Sequence, residues 1–219
     1  MMTHENPKLR WFMVGTPLAF SVLTMLHPMT EPWAGDSLDR WMLVHTAQLG
    51  MTVLLAYVVW WLVDGIRSRS ATIVRATLPV FLVAFSAFDA VAGLATGLLA
   101  GRAEGQTGAA RDATIAAADH LFYDNWLAGN LSVLGGVTTI SWIVIVTAAA
   151  VAVRGVGADR VTVACLGGAV LFAQHPAPFG TVGLLALALA VWRMSRGSRL
   201  GGEPRLPAFL EGAGRELPK

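Results

Sequence analysis

The stretch Trp41-MLVHTAQLGMTVLLAYVVWWL-Val63 decides the fold: 23 residues without a charged side chain, apolar except for His45, Thr46, Gln48 and Thr52. At about 1.5 Å of rise per residue, a helix of this length covers the ~30 Å hydrocarbon thickness of a bilayer. Hydrocarbon offers no partner to backbone N–H and C=O groups, so such a run must satisfy them internally, as a helix. Asp39, Arg40, Asp64 and Arg67 bracket it.

The pattern recurs along the chain. Further apolar stretches at 11–26, 76–100, 131–153, 161–173 and 179–194 complete a set of six expected spans. Of the 219 residues, 55% are hydrophobic and only 14% charged, and the mean hydropathy is +0.58. These values exclude an ordinary soluble domain. The expectation is an all-α, polytopic membrane protein: a six-helix bundle over residues 1–200, then a cytoplasmic tail at 201–219. The first, fifth and sixth spans are short, so they are expected to extend into polar loops or sit where the bilayer thins. Lys8 and Arg10 before the first span suggest a signal peptide, but no small-x-small cleavage site precedes Asp36, so it is read as a membrane helix.

Basic residues set the orientation. With both termini in the cytoplasm, Lys8, Arg10, Arg67, Arg69, Arg75, Arg154, Arg160, Arg193, Arg196 and Arg199 lie near inner helix ends, leaving Arg40, Arg102 and Arg111 outside. This predicts a multi-pass protein of the plasma membrane. His27, His45, His120 and His175 then all fall toward the outer face.

Their local settings differ. His27 precedes Pro28 and His175 precedes Pro176, a position pushed away from helical backbone, so both are expected at outer helix ends. On the second span Trp41, His45, Gln48 and Thr52 share one face, a polar stripe that should look into the bundle. His120 and Asp124 are i, i+4 neighbours before the fourth span; Asp119, Tyr123, Trp126 and Asn130 form an adjacent stripe if that helix begins early. A carboxylate one turn from an imidazole can orient it or help hold a metal. Residues 101–118, rich in Gly and Ala, are expected to form a loop with a surface helix over the site. Each histidine also has a plain reading, as a helix-end residue bonded to backbone and water.

Asp89 lies within the third span, in Phe85-SAFDAVAGLAT-Gly97. A carboxylate there is costly unless paired, hydrated or protonated. Ser86, Thr96 or a neighbouring helix are the expected partners, and Gly93 and Gly97 form a G-x-x-x-G pair suited to close helix contact. Trp11, Trp33, Trp41, Trp60, Trp61, Trp126 and Trp192 read as an interfacial belt, while Trp142 sits inside the fourth span.

Several chemistries are excluded. Cys165 is the only cysteine, so there is neither an internal disulfide nor a thiolate cluster. Lysines occur only at Lys8 and Lys219, which removes a covalent retinal Schiff base, and no phosphate loop, H-E-x-x-H pair or C-x-x-C-H attachment is present. The basic residues are explained by topology, so no nucleic-acid partner is expected.

Three functions fit the residues. The leading expectation is an integral membrane enzyme or redox protein whose metal (Fe, Cu or Zn) is ligated by some of His27, His45, His120 and His175, with Asp124 as a further ligand. In its haem b form His45 and His175 are the first choices for binding the cofactor. Its substrate would be a lipid-soluble molecule or an electron carrier. A second is a metal-independent enzyme in which Asp89 donates a proton to an isoprenoid-like substrate, in a pocket lined by Phe85, Phe88 and Trp142. A third is a proton-coupled transporter or membrane assembly factor using Asp89 and the outer histidines.

Overall fold

The computed structural model describes residues 7–34, 37–129 and 132–197. Among them 82% are helical and no strand occurs. The tail expected at 201–219, and Asp36, Asn130 and Arg199, lie outside the described residues.

Helix α1 covers Pro7–Met25 and α2 covers Leu38–Leu62. The third rod is continuous over 36 residues, Arg69–Glu104. It begins as α3 (Arg69–Phe88), loosens into a π segment at Asp89–Ala95, and tightens again as α4 (Thr96–Glu104). Then come α5 (Gly108–Asp119), a second π segment (His120–Asp124) and α6 (Val133–Gly155). Helix α7 (Arg160–Gly168) runs into a 3₁₀ turn (Ala169–Ala173), and α8 (Phe179–Gly197) ends the described chain.

Among the described residues three helical rods are long and apolar enough to cross a membrane: Leu38–Leu62, Arg69–Glu104 and Val133–Gly155. A membrane protein is therefore supported on length and composition. The remaining rods are shorter or more polar, and Arg160–Ala173 is shorter than the ~20 residues a crossing needs.

Local chemistry starts and stops these helices. Ser68 Oγ accepts the Ala71 N–H at 3.1 Å to open α3, and Ser132 Oγ accepts that of Gly135 at 3.1 Å to open α6. Asp159 opens α7, accepting from the N–H groups of Val161 (2.9 Å) and Thr162 (3.1 Å). It also accepts from the Thr162 hydroxyl at 2.7 Å and pairs with Arg193 of α8 at 3.0 Å. Hydrogen bonds from Thr162, with Arg193 adding, hold its carboxyl well below the usual carboxylate range. Gly157, at φ +92°, makes the turn between α6 and α7.

Packing pairs α3 with α6 and α1 with α8. The core between them is aromatic: Phe20 against Phe172 at 5.1 Å, Phe172 against Trp142 at 5.1 Å and Trp142 against Phe81 at 5.2 Å between ring centroids. The Trp142 indole N–H donates to the Ala169 carbonyl at 2.8 Å, satisfying its one polar atom. Asp89, Trp41 and His45 sit together at one end of this core.

The segment before α6 departs from the stripe expected if that helix began early. Helical backbone ends at Asn125, whose ψ is 106°. The Asn125 side-chain oxygen accepts the N–H groups of Leu127 and Ala128, both at 3.0 Å, and so stabilises a turn in place of a helix. His120 and Asp124 consequently belong to the continuation of α5, and Trp126 leaves the shared face.

Candidate functional site

Helix α2 turns its polar stripe inward, as its periodicity requires. Trp41, His45, Gln48 and Thr52 are all buried. Opposite stands the π segment of the third rod. The Trp41 indole N–H donates to the Gly93 carbonyl at 2.7 Å, and His45 Nδ1 meets Asp89 Oδ1 at 2.6 Å. Gly93 and Gly97 make this approach possible. A Cβ on Gly93 would run into the His45 ring, and one on Gly97 would meet Met42 Sδ and the Trp41 indole. The G-x-x-x-G pair is a close helix contact whose partner is the histidine-bearing helix.

Two further imidazoles join from turns. His27 follows the end of α1 and stacks edge-on with His45 at 5.0 Å, with His175 at 5.3 Å and with Trp41 at 5.7 Å between centroids. His175 follows the 3₁₀ turn, held where Gly180 at the start of α8 lies directly against its carbonyl. Three chain segments thus bring His27, His45 and His175 together beside Asp89.

Tautomers follow from the fixed partners. The Pro28 carbonyl can only accept, so His27 Nδ1 donates to it at 2.7 Å and Nε2 keeps its lone pair. With Asp89 ionised, His45 Nδ1–H donates to the carboxylate, and in the neutral ring Nε2 then keeps its lone pair. Both Nε2 atoms are buried with no partner in the protein, as are Asp89 Oδ2 and both polar atoms of the Gln48 side chain. Burial, reinforced by the His45 imidazole, pushes His27 down to about 4. Burial also takes His175 down to about 3, with His27 and His45 adding. Both rings, which lie in the turns beyond the helices, are neutral at physiological pH.

His120 stands apart from this group. Its ring is 3.5 Å from Asp124, and the two side chains are 73% and 68% exposed, so the expected i, i+4 pair forms on the surface. The same π segment contributes Phe122 instead, edge-on to Trp41 at 5.7 Å. Tyr123 donates its hydroxyl to Glu31 at 2.6 Å, tying the segment to the turn after α1. The bond lowers the Glu31 carboxyl and pushes Tyr123 up to about 12.

As the side chains stand, no group of three or more His, Cys, Asp or Glu among the described residues is arranged to hold a metal ion. What the arrangement offers is neutral imidazole nitrogen, oriented by a carboxylate and a carbonyl, in a buried polar group at one end of the bundle. Trp41 and Gln48, which the sequence places on the inward stripe of α2, belong to this neighbourhood, and so does Phe122, which the sequence alone does not single out. A cavity of about 400 Å³ adjoins the group. Phe85, Phe88 and Trp142 line it as expected, Asp89 is not among its lining residues, and His175 is. No protein-family model, curated protein or solved structure matches the chain.

Proposed function

We propose that the chain is an integral membrane metalloprotein that holds a transition-metal ion through His27, His45 and His175 and acts on a lipid-soluble substrate or electron carrier. One observation carries this reading. His27 and His45 each have Nδ1 engaged by a fixed oxygen and a buried Nε2 without a partner, the pattern in which a second oxygen orients a metal-binding imidazole. A metal–nitrogen distance of about 2.0–2.1 Å puts ring centroids roughly 5 Å apart around a tetrahedral ion. The separations from His27 are 5.0 and 5.3 Å. Gathering the three nitrogens onto one ion requires the rings to shift from the positions described, in which no three donors converge.

An ion fits better than haem b. Two axial imidazoles would have to stand about 6 Å apart with a porphyrin between them, whereas His27 touches both neighbours edge-on. Imidazole with a nearby carboxylate suits iron, copper or zinc. His120 and Asp124, exposed on the surface, are left out of the ligand set. The expected topology accompanies this reading: six crossings of the plasma membrane with both termini cytoplasmic, which puts the imidazoles toward the outer face.

The test is metal analysis of the full chain purified in mild detergent after growth with added Fe, Cu and Zn. About one ion per chain is expected, falling at least tenfold in His27→Ala, His45→Ala and His175→Ala. Sub-stoichiometric metal in the folded wild type would overturn the proposal.

The aromatic cavity favours one second reading, a metal-independent enzyme acting on an isoprenoid-like substrate with Asp89 as the proton source. Because neither Asp89 nor His45 lines the cavity, its proton would have to reach the substrate by way of His175, the imidazole that does. Turnover of polyprenyl substrates by metal-free protein, abolished by Asp89→Asn, would support that reading over the first.

A further inference from the structure

The cavity beside the histidines has a composition that narrows what it can hold. It lies between α3, α6 and the turn joining the 3₁₀ segment to α8, and its volume of about 400 Å³ is within the range of small-molecule sites. Its walls are the rings of Phe81, Phe85, Phe88, Trp142 and Phe172. The Trp142 N–H is already bonded to Ala169, so the indole presents ring carbon to the cavity and no donor. Polar groups are few: Thr138, Thr139, Gln174 and His175. Of these, Thr138 Oγ1 is buried with no partner in the protein, and a χ1 rotation of the side chain is needed to bring that hydroxyl to an occupant of the space. His175 both lines the cavity and lies 5.3 Å from His27, so an occupant would reach the imidazole group through it.

We propose that this cavity binds the ring of a lipid-soluble quinone or quinol, with a ring oxygen bonded to Thr138 and the ring edge at His175. A flat ring stacks among aromatic walls in offset or edge-on contact. Its oxygen answers the unpartnered hydroxyl, and its apolar tail remains in the hydrocarbon between helices. A purely hydrocarbon ligand would leave Thr138 unsatisfied. That the ring is the substrate rests on the proposed metal function, whereas its binding does not require the ion.

The test is photo-cross-linking of the detergent-purified full chain with an azidoquinone bearing a decyl tail, mapped by peptide mass spectrometry in chelator-treated and metal-loaded protein. Label is expected on peptides of α3, α6 or the 174–178 turn in both preparations. Decylubiquinone should displace it at least tenfold more effectively than decylbenzene, which lacks ring oxygen. Thr138→Val, which keeps the volume, should weaken competition five- to tenfold, and Gly135→Leu, which fills the space, should abolish it. Should Gly135→Leu fail to fold by circular dichroism, Thr138→Val carries the test alone. Competable label in a protein that binds no metal would support the cavity and sink the ion. Stoichiometric metal without competable label would do the reverse. Equal competition by decylbenzene, or no effect of Thr138→Val, would also overturn the quinone assignment.

Discussion

Gly93→Ala isolates the contact on which the site depends. Alanine is the better helix former by about 1 kcal/mol, so at an unconstrained position the change should stabilise. At Gly93 the new methyl meets Nδ1, Cγ and Cε1 of His45 at 3.0 Å or less, well inside the 3.4–4 Å of ordinary contact. The ring must retreat by several tenths of an ångström or more. The His45–Asp89 bond is 2.6 Å long and weakens beyond about 3.2 Å, so a retreat of more than about 0.6 Å along it breaks it. Losing a hydrogen bond to a charged group costs about 1.5–3 kcal/mol, and overpacking costs about 1–3. After the helix gain, a net destabilisation of about 2–4 kcal/mol is expected. Gly50→Ala on α2 is the control, because a Cβ there meets nothing within 4 Å. The assay is unfolding of both proteins in detergent micelles, repeated for Gly93→Ala in a His45→Ala background. The penalty should vanish once the ring is gone. Gly93→Ala as stable as Gly50→Ala, or an undiminished penalty without His45, would refute the reasoning.

Trp41→Phe keeps the ring but removes the N–H that bonds Gly93, and should cost about 1 kcal/mol in the same unfolding assay. His120→Ala, at an exposed position, should change stability by less than about 0.5 kcal/mol and leave bound metal unchanged. Asp159 has a folded-state pKa below its unfolded value of about 3.9, so its stabilisation is present above that pH and is lost as pH falls through the folded value. The gap in thermal stability between wild type and Asp159→Asn should therefore be constant from about pH 5 to 8 and close below about pH 4.

The helices were legible because their cause is local: uncharged apolar runs leave the backbone no other means of satisfying itself in lipid. The inward stripe of α2 was legible for the same reason, since Trp41, His45, Gln48 and Thr52 recur with the helical period. The partner of Asp89 was not. Ser86, Thr96 and a neighbouring helix all suited it, and the choice of His45 depends on how α2 and the third rod pack, which no local pattern encodes. Gly93 and Gly97 announced a close contact without saying which side chains it admits. The π segment at Asp89–Ala95 carries no signature of its own in the residues. His120 resembled the other three histidines in everything but context; the turn after Asn125 separates its helix from α6 and leaves it on the surface. Thr138 gave no signal at all, since an intramembrane threonine usually bonds its own helix.

The imidazole group leaves polar atoms for which the chain supplies no partner, so water or an ion has to supply one. His27 Nε2, His45 Nε2, Asp89 Oδ2 and the two polar atoms of Gln48 are five buried atoms for which the chain supplies no partner. At about 1–3 kcal/mol each they would cost roughly 5–15 kcal/mol, comparable to the whole net stability of a typical domain. Something outside the chain must offset this. A divalent ion takes up imidazole lone pairs and balances the Asp89 charge, while the Gln48 amide, both donor and acceptor, is suited to water. If the cluster is kept for binding, removing it should help the bare fold. Replacing both partners of a buried hydrogen bond by apolar residues of the same shape is nearly neutral or stabilising, whereas removing one partner alone leaves the other unsatisfied at a cost of about 1–3 kcal/mol. In chelator-treated protein, His45→Phe with Asp89→Leu should therefore unfold no earlier than wild type, while Asp89→Leu alone unfolds well before it. Wild type should regain the lead on adding the ion, by RT ln(1 + [L]/Kd), and the double variant should not respond. A double variant much less stable than metal-free wild type would mean that the pair holds the helices together, and the case for an ion would lose its energetic basis.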